Sequence, residues 1–152
     1  MAIEQTLILA KPDAVARGLV GEIIARFERR GYTIAALKLM TVDGNRARTH
    51  YAEHAGKPFF DGLVQYITSA PVVAMVIEGS DAIEGCRATI GATHPIKAAP
   101  GSIRGDYGQT IGRNLAHGSD SSESAQREIP IWFAPLEIAS RPHDQTQWLV
   151  GT

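Results

Sequence analysis

The sequence predicts an α+β fold of the ferredoxin-like βαββαβ kind, a four-stranded antiparallel sheet with helices on its surface. Short apolar runs, "TLILA" at 6–10 and "PVVAMVIEG" at 71–79, read as buried strands. The segments beside them carry helical spacing and helix stop signals. The order along the chain is strand, helix, strand, helices, strand, helix, loop, strand, which makes the sheet antiparallel and sets the helices on one face. No repeat, low-complexity tract or linker interrupts it, so residues 1–152 are expected to form one domain with a tail from about residue 134.

Each element has its own reason. After the first strand, "KPDAVARG" holds Pro12, Asp13 and Gly18 and reads as a loop. "VGEIIARFERRG", 20–31, spaces Val20, Ile23, Ile24 and Phe27 at helical intervals and stops at Gly31. "YTIAALKLM", 32–40, is rich in strand formers. Residues 45–69 read as two helices broken at "GKP", 56–58. Pro71 opens the next strand where no ladder hydrogen bond is lost. "SDAIEGCRATIG", 80–91, is a helix capped by Ser80. A long Gly- and Pro-rich loop, 92–112, follows; loops of this length in a compact domain are usually functional. Asp120, with Glu123 three residues on, caps a helix that Pro130 stops, and "IWF", 131–133, is the last strand. The tail is polar and ends near Trp148.

Bulk properties narrow the function. Hydrophobic residues make up 44% and charged residues 20% of 152, a globular composition with enough length for a core. A formal charge of -1 supplies no field for nucleic acid, and no specific nucleic acid is expected. Cys86 is the single cysteine, so no internal disulfide can form, and it reads as a small buried residue. The opening "MAIEQTLILA" lacks a basic n-region, and no apolar run reaches the roughly 20 residues of a membrane span. A cytoplasmic protein is the expectation.

The densest chemistry lies in "NLAHGSDSSESAQREIP", 114–130. His117 precedes the helix cap, where free backbone N–H groups favour an anion, and Gly118 permits close approach. The spacing leaves two readings open: a capping histidine, or a nucleophile with one ring nitrogen held and the other free to attack phosphorus. Lys11 directly follows the first strand; a lysine at a strand end points at whatever lies across that end, although a solvated surface lysine is the commoner case. The loop 91–114 carries Thr93, Arg104 and Arg113, and Arg suits phosphate, yet neither a P-loop nor a G-x-G-x-x-G occurs. "RGD" at 104–106 is too short to mean adhesion. "HYAEH", 50–54, fits a zinc motif, against an exposed helix face. Of Phe59 and Phe60, at least one should pack in the core, and the other could stack on a base.

Taken together, "NLAHGSDS" at 114–121, "KPD" at 11, "RGLVGEII" at 17, "HYAEH" at 50, "KPFFDGLVQYITSAPVVAMVIEG" from 57, Arg87, "IRGD" at 103 and "SAQREI" at 124 resemble the nucleoside diphosphate kinase family, in order and at its spacing, from about residue 4 to 133. That resemblance implies transfer of the γ-phosphate of a nucleoside triphosphate, mainly ATP, to a nucleoside diphosphate by a ping-pong route. It makes His117 the nucleophile, acting through Nδ1, with Glu128 and Ser119 supporting the imidazole. It sets Lys11, Tyr51 and Arg104 on the transferred phosphate and Arg87 and Thr93 on the inner phosphates. Lys11 and Asn114 meet the ribose, and Phe59 and Ile111 clamp the base with Leu63 beside them. It implies Mg²⁺ carried by the nucleotide, with no direct protein ligand and Asp120 near its water shell, and "HYAEH" becomes a family helix with Tyr51 as its functional member. A homo-oligomer follows, and the tail length suits a hexamer better than a tetramer. His94, Ile96 and Lys97 depart from the family in a loop near its subunit contacts. A non-catalytic nucleotide-binding module on the same fold is the alternative; it should have lost one of Lys11, Tyr51, Arg104, Asn114, His117 or Glu128, and all are present. A zinc hydrolase is the third reading.

Overall fold

A computed structural model describes residues 3–142 and 145–151. Strands β1 (Ile3–Ala10), β2 (Thr33–Met40), β3 (Val72–Ser80) and β4 (Ala116–Gly118) form one sheet in the order β2-β3-β1-β4, with every pairing antiparallel. Helices α1 (Pro12–Ala16), α2 (Val20–Arg29), α3 (Gly44–His50), α4 (Phe60–Ile67), α5 (Ala82–Ile90), α6 (Ile103–Tyr107), α7 (Ser122–Trp132) and α8 (Thr146–Val150) surround it, as the predicted fold class requires.

Helices cover both faces of the sheet, not one. Side chains alternate across a strand, so a strand apolar at every position must be buried on both sides. Leu7, Leu9, Val72, Ala74 and Val76 pack with Ala47 of α3, Ile67 of α4 and Ala125, Ile129 and Trp132 of α7. Ile8, Ala10, Val73, Met75 and Ile77 pack on the other side with Ile23 and Phe27 of α2 and Cys86 and Ile90 of α5. Fully burying a side chain such as Phe27 contributes roughly 1.5–3 kcal/mol.

Four local expectations change. The fourth strand is Ala116–Gly118; "IWF" instead ends α7, with Trp132 and Phe133 in the core. Pro130 lies inside that helix without stopping it, because the hydrogen bond it forfeits falls on the face where Gln126 and Pro130 are exposed. The cap of α7 is Ser121, whose Oγ accepts from the Ser124 N–H at 3.1 Å, while Asp120 accepts from the Ser124 hydroxyl. Ser80 ends β3, and α5 is capped from across the sheet by Glu4, which accepts from the Ile83 N–H at 3.2 Å.

The two expected loops also contain structure. Pro12 occupies the first turn of α1, where a missing N–H costs nothing. The segment 92–112 contains a 3₁₀ turn at Pro95–Lys97 and α6, which Ser102 caps. Among the described residues no helix is long and apolar enough to cross a membrane.

Candidate active site

β4 pairs with β1 so that His117 lies opposite Leu9, on the face covered by α3 and α7. The turn feeding β4 is forced. Leu115 is fully buried with φ 75°, a left-handed conformation that costs a branched side chain on the order of 1–2 kcal/mol. It is held there from both ends: its N–H donates to Asp13 at 3.1 Å, and its carbonyl accepts from the Lys11 N–H at 2.9 Å. Asp13 also accepts from the Tyr66 hydroxyl, which ties α4 to the same turn. These hydrogen bonds hold Leu115 in its strained conformation and keep the end of β1 against residues 114–117.

The His117 imidazole is held on one side only. Its Nε2 lies 2.9 Å from Glu128 Oε1, which also accepts from the Ser119 hydroxyl at 2.7 Å. Ser119 in turn accepts from the Leu7 N–H at 3.2 Å. An ionised carboxylate only accepts, so Nε2 carries the ring proton and Nδ1 keeps its lone pair. Glu128 is 4% exposed. Burial works against its charge, but the hydrogen bond and charge of His117 and the Ser119 hydrogen bond hold it below the usual carboxylate range.

The cations are buried or shared. Lys11 Nζ donates to Asn114 Oδ1 at 2.9 Å, and Asn114 Nδ2 donates to the Thr93 carbonyl at 3.0 Å. Burial, then the charge of Arg104, pushes the Lys11 ammonium down to about 8, with Asp13 pulling the other way. Arg104 is buried and donates to three carbonyls: Nε to Asn114 at 3.0 Å, Nη1 to Gly91 at 3.0 Å and Nη2 to Ala116 at 2.6 Å. Two of its five N–H groups remain for a ligand. This burial also removes "RGD" from any adhesion role. Arg87 is exposed on α5 and donates to the Gly118 carbonyl at 3.0 Å. Tyr51 caps the C-terminus of α3, and burial, then the charge of Glu128, pushes its hydroxyl up to about 12.

Apolar groups form the rim. Phe59 and Ile111 are 50% and 56% exposed, unusual for side chains of their size, whereas Leu63 is half-buried against the core. The zinc pattern does not assemble. α3 ends at His50, residues 52–54 form a 3₁₀ turn, His50 turns into the core beside Trp132, and His54 lies 3.8 Å from Glu53. His94 uses Nδ1 to accept from the Ile96 N–H at 3.3 Å within its own turn, while Ile96 is exposed. Spacing gave Trp132 no signal and offered Asp13 only as a turn residue and His50 only as a zinc ligand; a buried indole in need of an acceptor was the available clue to the His50–Trp132 pair.

The nucleoside diphosphate kinase family model matches residues 4–138. A nucleoside diphosphate kinase of Frankia casuarinae is 60% identical over 136 residues, covering 90% of this chain and 99% of that one. One from Cyanothece is 55% identical, covering 97% and 99%. Among solved structures, a halophilic nucleoside diphosphate kinase from Halobacterium salinarum, in complex with CDP, superposes with a TM-score of 0.93 at 47% identity over 97% of this chain and 99% of that one. Sequence and structure agree over nearly the whole chain: it belongs to the nucleoside diphosphate kinase family of phosphotransferases.

Proposed function

We propose that this chain transfers the γ-phosphate of a nucleoside triphosphate, mainly ATP, to a nucleoside diphosphate in two half-reactions through a phosphohistidine at His117. The observation that carries this reading is the one-sided hold on His117: Glu128 occupies Nε2, and Nδ1 has no protein partner among the described residues. In the first half-reaction the Nδ1 lone pair attacks the γ-phosphorus, the bond to the bridging oxygen breaks, and the nucleoside diphosphate leaves with those electrons. The positive charge this puts on the ring is balanced by Glu128, itself held by Ser119. The second half-reaction reverses the first with a different diphosphate, which makes the kinetics ping-pong.

Phosphoryl transfer depends mostly on positioning and charge stabilisation. We assign Lys11, Tyr51 and Arg104 to the transferred phosphate, Arg87 and Thr93 to the inner phosphates, and Lys11 with Asn114 to the ribose. Phe59, Ile111 and Leu63 hold the base by apolar contact, which supports broad base tolerance, because stacking without polar contacts to the base edge discriminates weakly. The cationic set suits phosphates, and the buried Glu128 is committed to His117 and Ser119, so Mg²⁺ would be held by the nucleotide, with exposed Asp120 available to bind it through water. When bound, the ion neutralises phosphate charge. We further place the protein in the cytoplasm as a homo-oligomer, a hexamer. Exposed Leu37 and Leu39 on the outer strand β2 support assembly, since an apolar edge strand invites a partner.

The test is a labelling experiment. γ-labelled ATP with Mg²⁺ should leave an acid-labile, base-stable label on the protein that any added nucleoside diphosphate discharges, and His117→Asn should take up none. A folded wild-type protein that binds ATP but takes no label is a binding module instead.

A further inference from the structure

One buried titratable group beside His117 has no part in the contacts assigned above. His50 closes α3 and is 2% exposed. Its Nδ1 accepts a 3.1 Å hydrogen bond from the indole N–H of fully buried Trp132, in the last turn of α7. An indole nitrogen can only donate, so Nδ1 keeps its lone pair and the ring proton is on Nε2. The His50 ring stands edge-on to His117, with centroids 4.8 Å apart and planes at 79°. It is likewise edge-on to Trp132 at 5.3 Å and 82°. One nitrogen of each histidine and one oxygen of Glu128 lie within 4.8 Å of one another. Two imidazoles and a carboxylate this close have the composition of a metal site. The tautomer argues against that use, because Trp132 occupies one His50 nitrogen and a proton the other.

We infer that His50, locked by Trp132 as the neutral Nε2–H tautomer, is a positioning residue for His117. Its edge bounds the rotation of the His117 ring, so that Nε2 stays on Glu128 and Nδ1 stays free. Its neutrality leaves the charge of Glu128 to the one imidazole that must become positive during transfer. A protonated His50 would compete for Glu128 and repel the charge forming on His117. Trp132 opposes that protonation directly, since a proton on Nδ1 would set N–H against N–H. The surroundings act in the same direction: burial first, then His117, push His50 down to about 3, Arg127 and Lys11 add to this, and Glu128 alone pulls the other way. Tyr51, packed edge-on at 4.7 Å, brings no charge, because its hydroxyl stays protonated.

The inference rests on His117 being the phosphorylated residue, so the test first measures labelling of His117. In the wild type, ¹⁵N spectra should show His50 as the Nε2–H tautomer, with no titration between pH 5 and 8. Trp132→Phe keeps a buried ring and removes the donor. Its rate of His117 phosphorylation should fall about tenfold at pH 8, the scale of one lost hydrogen bond, with ATP affinity unchanged. The deficit should deepen towards pH 5, as His50 becomes able to protonate. Adding His50→Phe to that variant should remove the pH-dependent part and leave the rest. A wild-type His50 carrying its proton on Nδ1, a loss equal at every pH, or a pH-dependent loss that survives in the double variant would overturn the inference. Absence of label on the wild type would overturn the phosphohistidine reading itself, a distinct outcome.

Discussion

The two ends of the β1–β3 ladder make opposite uses of space. At the end near Ala10, polar side chains are wholly or partly buried and each is hydrogen-bonded: Lys11 to Asn114, Ser119 and His117 to Glu128, Arg104 to three backbone carbonyls. At the end near Ile3 there is an open hollow of about 870 Å³, between Tyr32, Glu84, Arg141 and Leu149. Part of its wall is the C-terminal tail leaning on the body. Leu149 rests against Gly31, and the Ala139 N–H donates to the Ala35 carbonyl at 2.6 Å. Chemistry follows from convergent, desolvated polar groups, not from volume.

Substitutions at the two ends should therefore part company. The largest effect is expected from Arg104→Ala, which deletes three ties from α6 to the carbonyls of Gly91, Asn114 and Ala116 together with a proposed phosphate donor. Phosphoryl transfer should drop on the order of 10²–10³-fold and Tm should fall with it; activity within tenfold of wild type would mean that the guanidinium serves the backbone alone. Next comes Glu128→Gln, which keeps the size of the side chain and removes its charge. The rate of labelling should fall about 10–100-fold with nucleotide affinity retained, and an equal loss of affinity would contradict a role confined to the imidazole.

A pH titration sharpens the same contrast. The Lys11 pKa is lowered, so its ammonium is present below about 8 and is lost as pH rises through that value. ATP affinity should weaken above pH 8 in the wild type and hold in Lys11→Arg, as read by calorimetry across pH 7–9.5. In folding terms the sign is opposite, since burying the charged form is what costs: between about 8 and the unfolded value of roughly 10.4 the unfolded chain binds more protons, and this group's contribution to stability rises with pH.

At the far end, Gly85→Ala should leave kcat within about twofold while lowering stability by roughly 1–3 kcal/mol. A Cβ there would lie 1.7 Å from the Tyr32 hydroxyl and 2.8 Å from its ring carbon. Tyr32→Phe in the same chain should recover part of the loss in a thermal melt. A kinetic defect from Gly85→Ala would show that the two ends are coupled.

Local pattern determined much of this protein. The apolar runs of β1 and β3, the helical spacing of α2 and the stop at Gly31 were all legible in sequence, because each depends on near neighbours in the chain. The resemblance around "NLAHGSDS" supplied the proposed site residues. What the chain could not show locally was settled by partners far away in sequence. β4 is three residues long and exists through its pairing with Leu9, so "IWF", with its stronger strand composition, was the more visible candidate. α5 takes its cap from Glu4, 79 residues away, and Pro130 survives within α7 because its lost bond faces solvent. The tautomer of His50 is set by an indole 82 residues further on. Spacing along a chain encodes periodicity and the nearest hydrogen bonds. Which donor meets which acceptor across a buried face is decided only when the elements pack, since desolvation leaves each of those polar groups no water to turn to.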